Sequence, residues 1–336
     1  MMSFERLTLD ALCDRLAVKR NTLIIFHARP DADAVGSAFA LRDLLFAMGI
    51  PAMCACVDEI PERLRFLSEH AQGSVLLDEE MGLDHERVIS VDAASPAQLG
   101  TLFERLRRDV DLMIDHHAMG TVYADHYIDP AASATGEIIY ELALRLRERG
   151  DICEIPHRVY EAVYAAICSD TGSFRFANAT PKTFRVVAEL LEAGVEGDQI
   201  ARNLYEAKSP KQIRAEGEAA RRLLIHDGGL FASTTIPYSS KYSLMLADED
   251  METIIDIPRS VRGVEVAFSV KQPEQKSFFR VSMRSAGDFD VSMVCARFGG
   301  GGHKRASGCS LEAGSIDEAE KLVLAAVREE WKKQIG

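Results

Sequence analysis

The chain has 336 residues, of which 27% are charged and 47% hydrophobic, and its formal net charge is −13 at pH 7. This length exceeds the roughly 250–300 residues at which a single core stops growing, so we expect two domains. The composition is that of a globular enzyme. The negative charge excludes a broad basic surface for long nucleic acid. Any polyanionic substrate must therefore be bound locally, by metal ions or a small cationic cluster, and a short substrate fits this requirement better.

Cysteine usage and hydropathy indicate the compartment. The seven cysteines are odd in number and form no C-x-x-C pair, which argues against a disulfide framework and against a thiolate zinc site. The stretch 1–16 mixes charges into an amphipathic helix, and no later stretch approaches an uncharged apolar run of about 18 residues. We therefore expect a cytoplasmic protein without a membrane partner.

The first part of the chain alternates short apolar runs with helical stretches. This alternation predicts an α/β domain with a mostly parallel sheet flanked by helices. The predicted strands are 23–26, 51–57, 88–91 and 111–114, and the predicted helices are 36–48, 61–70, 96–108, 133–147, 156–168 and 181–193.

Acidic or imidazole side chains stand at the ends of three predicted strands. The carboxyl ends of parallel strands meet at one edge of a sheet, where open α/β sheets place their ligands, so we expect these side chains to converge. Pro30 and its acidic neighbours could form only a turn and a helix cap, but that interpretation does not explain the recurrence at three strands. The residues are His27, Asp31, Asp33, Asp92, Asp115, His116 and His117.

Asp170 follows the helix predicted over 156–168 and is added to this set. We predict that residues 171–176 continue as an extended segment that leads back from the helix, which leaves the carboxylate of Asp170 free to face the site. Two imidazoles and four carboxylates are too many ligands for one ion but suffice for two ions about 3.5–4 Å apart that share a bridging carboxylate. Ligation without thiolate favours Mn²⁺, with Mg²⁺ or Co²⁺ as substitutes. Phosphoester hydrolysis is the reaction that such a pair favours. The six ligands are His27, Asp31, Asp33, Asp92, His116 and Asp170.

Composition changes after a polar helical stretch that Ser209 and Pro210 interrupt. We predict a helical linker at 191–222 between a catalytic domain at 1–190 and a smaller C-terminal α+β domain at 223–336. That domain is predicted to contain antiparallel strands at 230–237, 263–270 and 278–284, a hairpin turn at 272–276, and helices at 290–298 and 316–333.

Several motifs resemble those of a known family. HARPDADAVGS at 27–37, the acid of SVDAAS at 90–95, IDHH at 114–117 and AAICSDTGSF at 165–174 resemble the DHH phosphoesterase superfamily, and 284–308 resembles its DHHA1 domain. Within the superfamily the sequence is most similar to the nanoRNase and pAp-phosphatase group. That resemblance implies cleavage of very short oligoribonucleotides to mononucleotides and dephosphorylation of 3′-phosphoadenosine 5′-phosphate (pAp).

The resemblance also implies roles in the first domain. His117 would face the scissile phosphate as a donor or general acid, and Asp115 would orient an imidazole. Purely structural roles for both are alternatives, since neighbouring side chains on an extended segment diverge. At the position of Ala32 many members of the family carry Gly or another small residue, and we expect little effect from this difference. One ion would be held by His27, Asp31 and Asp92, and the other by Asp33, Asp92, His116 and Asp170, with Asp92 bridging.

The second domain is expected to bind the substrate. Its four consecutive glycines allow the backbone to approach a ligand closely and to form an anion-binding nest, the alternative being a flexible loop. Lys304 and Arg305 either add donors or are solvated charges. By family position, Arg284 and Ser285 resemble residues that bind the terminal phosphate or base-proximal end of the substrate, and Arg262 is a weaker candidate. The remaining candidates are Gly300, Gly301, Gly302 and His303.

Other functions share parts of this pattern. A RecJ-like exonuclease would be expected to carry an additional OB-type domain and a less negative charge, and a DHHA2-type pyrophosphatase would lack the GGGGH segment. A linear or cyclic dinucleotide phosphodiesterase uses the same core and stays open. A nucleotide-binding module without metal is disfavoured by the intact ligand set. The sequence leaves the oligomeric state open, a homodimer being one option.

Overall fold

The computed structural model describes residues 4–70, 75–76, 85–106, 110–206 and 208–336. The chain forms two compact units, Met1–Ala207 and Lys208–Gly336. The predicted linker is divided between them. Its helical residues up to Glu206 belong to the first unit and its last helix, Pro210–Arg221, to the second.

The first unit is built on a six-stranded sheet in which all neighbouring strands are parallel. The strand order is β3-β2-β1-β4-β5-β6, so the sheet grows in one direction from β1 to β3 and in the opposite direction from β4 to β6. The carboxyl ends of β1 and β4 therefore flank the crevice where such sheets bind ligands. The strands are β1 (Thr22–Ile25), β2 (Ala52–Cys56), β3 (Val75–Leu76), β4 (Arg87–Val91), β5 (Leu112–Asp115) and β6 (Asp125–Ile128).

The residues of β1 and β4 are buried, which explains why most of their side chains are apolar. On one face Ile24 and Ile89 belong to the core formed with the long helices, and on the other Leu23 packs with Leu99. Helices α2 and α5 approach closely at Gly36, where a Cβ atom would lie 2.6 Å from the carbonyl oxygen of Ala162. The helices are α1 (Leu9–Ala17), α2 (Ala32–Ala47), α3 (Thr101–Arg105), α4 (Thr135–Arg149), α5 (His157–Asp170), α6 (Pro181–Glu192) and α7 (Gly197–Ala201).

The second unit contains a mixed six-stranded sheet in the order β11-β12-β10-β9-β8-β7. One face packs against α11 and α12 through a core that includes Phe268, Phe279 and Val327. The strands are β7 (Leu224–His226), β8 (Phe231–Ile236), β9 (Val266–Lys271), β10 (Phe278–Ser285), β11 (Gly301–His303) and β12 (Ala306–Glu312); the helices are α8 (Pro210–Arg221), α9 (Tyr238–Ser243), α10 (Asp256–Arg259), α11 (Val291–Ala296) and α12 (Ile316–Gln334).

The fold class predicted from the sequence is confirmed, but one strand pairing was wrong. Strands β8 and β9 are parallel, whereas β9 and β10 form the predicted antiparallel hairpin. Parallel neighbours need a crossover connection, and the segment 237–265 between β8 and β9 is long enough to contain α9 and α10. The hydrophobic pattern of each strand does not reveal this direction.

Two local predictions also differ from the structure. The helix predicted over 96–108 is a 3₁₀ turn, Pro96–Leu99, and then α3, because Gly100 separates them with a left-handed φ of 59°; residues 107–109 lie outside the described part. The extended return predicted at 171–176 is a series of turns. There the Thr171 hydroxyl donates to the carbonyl of Ile167 at 2.6 Å and accepts from the N–H of Phe174 at 3.0 Å.

Among the described residues, no helix combines the length and the apolar character needed to cross a membrane.

Candidate metal centre and substrate residues

The six predicted metal ligands converge at the carboxyl edge of the first sheet. Three follow β1, β4 and β5, and three lie at the ends of α2 and α5. The strand-end residues are His27, Asp92 and His116, and the helix-end residues are Asp31, Asp33 and Asp170.

Asp92 lies at the centre of the site. Its Oδ2 lies 3.6 Å from Nε2 of His27, and its Oδ1 lies 3.8 Å from Nε2 of His116 and 3.7 Å from Nδ1 of His117. The side chain is buried, and the backbone has a left-handed φ of 53°, which Asp adopts more readily than most residues. The two oxygens of this carboxylate therefore face two different groups of potential ligands.

Both imidazoles of the predicted ligand set present Nε2 to the carboxylates. Nδ1 of His27 lies 2.9 Å from the carbonyl oxygen of the next residue, and Nδ1 of His116 lies 3.3 Å from the carbonyl oxygen of Ala132. Since a carbonyl only accepts, each Nδ1 carries a proton. Nε2 of His116 lies 3.2 Å from Oδ2 of Asp170 and 3.7 Å from Oδ2 of Asp33. Metal-binding histidines are oriented in this way, by a bond from the other ring nitrogen.

Asp31 caps a helix and also faces the site. Its Oδ1 accepts hydrogen bonds from the backbone N–H groups of Asp33 and Ala34 at 3.1 and 3.0 Å. The same oxygen lies 3.7 Å from Nε2 of His27. The interpretation of this stretch as a helix cap is thus correct for Asp31, and it leaves lone pairs of the carboxylate for a cation.

Two residues outside the four motifs, Thr135 and Gly136, help to hold Asp33 and Asp92. The fully buried Asp33 accepts from the backbone N–H groups of Thr135 and Gly136 at 2.7 and 2.9 Å and from the Ser37 hydroxyl at 2.9 Å. The Thr135 hydroxyl donates to Oδ1 of Asp92 at 3.0 Å. Sequence reasoning missed Thr135 and Gly136. The sequence signal that could have identified them is the predicted start of helix α4, because N–H groups at a helix N-terminus bind anionic groups.

Asp115 binds the imidazole of His117. Its buried Oδ1 accepts from Nδ1 of His117 at 2.6 Å and from the backbone N–H groups of His116 and His117 at 2.7 and 3.1 Å. Burial lowers the pKa of His117, but the hydrogen bond and the charge of Asp115 outweigh burial and raise it above its ordinary value. The imidazole that Asp115 orients is thus that of His117, whose role as a proton donor stays a prediction.

The carboxylates shift the pKa values across the site. Burial alone would lower the pKa of His27, but Asp31 and Asp92 outweigh it and raise that pKa to about 12. For His116, burial is outweighed in the same way, and its pKa rises to about 11 because carboxylates surround it. Burial, together with repulsion from other acids, raises the pKa of Asp170 to about 6. The acidic residues thus create a potential that favours positive charge at this edge of the sheet.

The donor chemistry fits divalent cations. Within the described part of the chain, three groups of side chains bring their ligand atoms within 4.8 Å of one another. Two of these groups match the ligand sets predicted for the two ions, except that the group around Asp33 lacks Asp92. All ligand atoms are carboxylate oxygens or imidazole nitrogens, which suit Mn²⁺ or Mg²⁺ better than a thiophilic metal. The groups are His27 with Asp31 and Asp92; Asp33 with His116 and Asp170; and Asp92 with His116 and His117.

The predicted substrate residues at the end of β10 have structural contacts. One guanidinium nitrogen of Arg284, Nη1, donates to the carbonyl of Met283 at 2.9 Å, and burial lowers the pKa of Arg284. The hydroxyl of the buried Ser285 donates to the carbonyl of Phe289 at 2.7 Å. Arg262 is exposed in the connection before β9.

The glycine-rich segment is partly a strand. Gly301–His303 forms β11, which pairs with β12, and the side chain of His303 lies outside the described part. A Cβ atom on Gly300 would lie 2.3 Å from the carbonyl oxygen of Gly308, and Gly302 has a φ of 140°. A Cβ atom on Gly301 would meet nothing within 4 Å. Close strand packing thus explains Gly300 and Gly302 but not Gly301.

Comparisons with known proteins agree with the arrangement of the first unit. The family model described as the DHH family, N-terminal domain, matches residues 21–167, and the DHHA1 domain matches residues 240–329. The chain is 31% identical over 316 residues to the bifunctional oligoribonuclease and PAP phosphatase NrnA of Thermus thermophilus, covering 94% of this chain and 91% of the relative. The chain belongs to the DHH/DHHA1 phosphoesterase superfamily.

Two further relatives show how far this similarity extends. Bifunctional oligoribonuclease and PAP phosphatase NrnA of Bacillus subtilis is 28% identical over 320 residues, covering 90% of this chain and 93% of the relative. Cyclic-di-AMP phosphodiesterase PdeA of Listeria monocytogenes is 23% identical, covering 97% of this chain but 50% of the relative.

Solved structures share the DHH/DHHA1 fold. An exopolyphosphatase-related protein from Bacteroides fragilis has a TM-score of 0.87 at 22% identity, covering 97% of this chain and 96% of that chain. RecJ from Thermus thermophilus in complex with Mn²⁺ has a TM-score of 0.55 at 16% identity, covering 95% of this chain and 54% of that chain. At these identities the likeness concerns the fold alone.

Proposed function

We propose that this DHH/DHHA1 protein hydrolyses short oligoribonucleotides to mononucleotides and pAp to AMP, with two Mn²⁺ ions as cofactors. The observation that carries this proposal is the position of Asp92. Its Oδ2 faces His27 at 3.6 Å and its Oδ1 faces His116 at 3.8 Å, so that one carboxylate can serve two cations.

The remaining ligands divide between the two sides of Asp92. His27 and Asp31 would complete one set through Nε2 and Oδ1, which lie 3.7 Å apart. When bound, such a cation pair supplies an activated water and positive charge beside the phosphoryl oxygens. The second set comprises Asp33, His116 and Asp170 together with Asp92.

His117 would supply the proton that the leaving oxygen gains when the phosphorus–oxygen bond breaks. Asp115 supports this role, because it accepts from Nδ1 of His117 and thereby places Nε2 on the far side of the ring.

The substrate class is supported by charge and by similarity. A net charge of −13 gives little electrostatic reward for binding a long nucleic acid. The relatives with 31% and 28% identity are named for oligoribonuclease and PAP phosphatase activities. In the second unit, Arg284, Ser285, Arg262, His303 and the adjacent glycines would bind the end of the substrate that is not cleaved.

A second candidate is a linear or cyclic dinucleotide phosphodiesterase. It is favoured by the similarity to the cyclic-di-AMP phosphodiesterase over almost all of this chain. Both candidates use the same ligand set, so the discriminating observation is the product spectrum.

The test is mass-resolved product analysis of the purified protein with Mn²⁺, offered pAp, pApA, cyclic di-AMP, a ladder of short RNAs and a 24-mer DNA in parallel. We expect AMP from pAp and mononucleotides from RNAs of two to five nucleotides. Chelation should abolish both activities, and Mn²⁺ should restore them best.

The matched control is an Asp92→Asn preparation, which identifies contaminating nucleases. Cleavage restricted to pApA and cyclic di-AMP would establish the second candidate instead. Progressive degradation of the 24-mer would indicate a RecJ-like exonuclease. Full activity after chelation would contradict the proposed metal mechanism.

A further inference from the structure

The start of α4 holds two of the predicted metal ligands. The buried Thr135 makes two contacts with them: its hydroxyl donates to Oδ1 of Asp92 at 3.0 Å and its backbone N–H donates to Oδ2 of Asp33 at 2.7 Å. The next N–H group, that of Gly136, donates to Oδ1 of Asp33 at 2.9 Å. One helical turn thus contacts both oxygens of Asp33 and one oxygen of Asp92.

The contact of Thr135 with Asp92 fixes the terminal side-chain torsion angle of Asp92, which is otherwise weakly defined. Rotation about the terminal bond of an aspartate is broad, so packing alone defines the plane of the carboxylate poorly. The Thr135 hydroxyl uses one lone pair of Oδ1 and leaves the other available. The carboxylate plane is thereby set so that Oδ1 faces His116 and Oδ2 faces His27.

The segment that contains Thr135 is itself held from several sides. The fully buried Glu137 accepts from the backbone N–H of Ser133 at 3.2 Å and from the hydroxyl of Thr183 at 3.2 Å. The side-chain amide of Asn178 donates to the carbonyls of Ser133 at 2.9 Å and Asp170 at 3.1 Å. A Cβ atom on Gly136 would lie 2.4 Å from Cβ of Ala166, so α4 and α5 are in direct contact here. Thr135 therefore has little freedom to move away from Asp92.

We propose that Thr135 is a positioning residue of this phosphoesterase, whose hydroxyl sets the orientation in which Asp92 binds both cations. This inference rests on the proposed two-cation function. The backbone contacts to Asp33 do not depend on the side chain at position 135, so the Thr135 hydroxyl can be removed with the Asp33 contacts retained.

The experiment compares Thr135→Val, which keeps the shape and removes the hydroxyl, with Thr135→Ser, which keeps the hydroxyl. Thr234→Val is the matched control, since it removes a buried threonine hydroxyl that donates to the carbonyl of Ala219 in the second unit and contacts no predicted ligand. For each protein we measure Mn²⁺ affinity and stoichiometry by calorimetry, kcat and KM with a short RNA, and the Tm of the metal-free protein.

We expect Thr135→Val to weaken Mn²⁺ binding by about 10–100-fold, the usual effect of losing a contact that orients a metal ligand, and to lower kcat with little change in KM. Thr135→Ser should recover both within about threefold. Thr234→Val should lower Tm without weakening Mn²⁺ binding.

Wild-type values of Mn²⁺ affinity and kcat in Thr135→Val would overturn the inference, as would equal losses of Mn²⁺ affinity and kcat in Thr234→Val. If Thr135→Val does not fold, Thr135→Ala decides in the same way, with loss of affinity supporting the inference and retention overturning it. Absence of Mn²⁺ binding by the wild-type protein would instead refute the proposed function, because that result does not involve position 135.

Discussion

The carboxyl edge of the first sheet and the glycine-rich segment of the second unit both carry family motifs, but their side chains are explained differently. At the sheet edge, the buried carboxylates of Asp33 and Asp92 lie close to other charged groups. In the second unit, Ser285 bonds a loop carbonyl and Gly300 allows two strands to approach. Packing explains Ser285, Gly300 and Gly302 in the second region, but it does not explain the buried carboxylates of the first.

The difference lies in the free energy of each arrangement. Burying carboxylates beside one another is unfavourable unless opposite charge compensates it, so a crowded acidic site indicates a function. A glycine in a tight strand pairing is favourable for the fold itself. Crowded charges are therefore stronger evidence for a site than a motif of small residues, and five substitutions test this contrast.

Asp92→Asn is expected to have the largest effect. Each cation is worth several kcal/mol of transition-state stabilisation, and a bridging carboxylate serves both, so kcat should fall by about 10⁴-fold or more. Elemental analysis should show fewer than two Mn²⁺ ions per chain. A variant with full activity would contradict the bridging role.

His117→Ala is expected to lower kcat by about 10²–10⁴-fold with metal content unchanged, because it removes the proposed proton donor. The measurement pairs steady-state kinetics with elemental analysis. Loss of a bound ion would show instead that His117 is a ligand, consistent with its position near Asp92 and His116.

Arg284→Ala is expected to raise KM for a short RNA by about 10–100-fold and to change kcat little, since a charge-assisted hydrogen bond contributes about 1.5–3 kcal/mol. The control is Arg280→Ala on the same strand, whose side chain pairs with Asp248 at 3.0 Å. Equal changes in both variants would indicate a general charge effect rather than a binding contact.

The smallest effects concern two neighbouring glycines. Gly300→Ala should lower the free energy of unfolding by about 1–3 kcal/mol in urea denaturation, because the added methyl group would overlap β12. Gly301→Ala should leave stability within about 0.5 kcal/mol and raise KM, if the backbone at Gly301 approaches the substrate. An unchanged KM for Gly301→Ala would leave only packing as the reason for this segment.

The sequence predicted the strand ends and the first-unit ligand candidates because apolar runs that end in acids are local signals. It did not predict the parallel pairing of β8 and β9, since strand direction depends on a distant crossover. It also missed β6 and β12 and the contacts of Thr135, because pairing and hydrogen bonding between distant segments leave no periodic trace. Local chemistry was therefore more predictable than the contacts that orient it.

The candidate ligands of the first unit are spread from His27 to Asp170 and come from separate strands and helices. They form a set only when the whole unit is folded, so the unfolded chain offers no comparable site. A cation that binds only the folded state at a free concentration 100 times its Kd would stabilise that state by about 2.7 kcal/mol. Under the proposed ligation, the supply of Mn²⁺ would then control how much intact protein persists against proteolysis, in addition to controlling turnover.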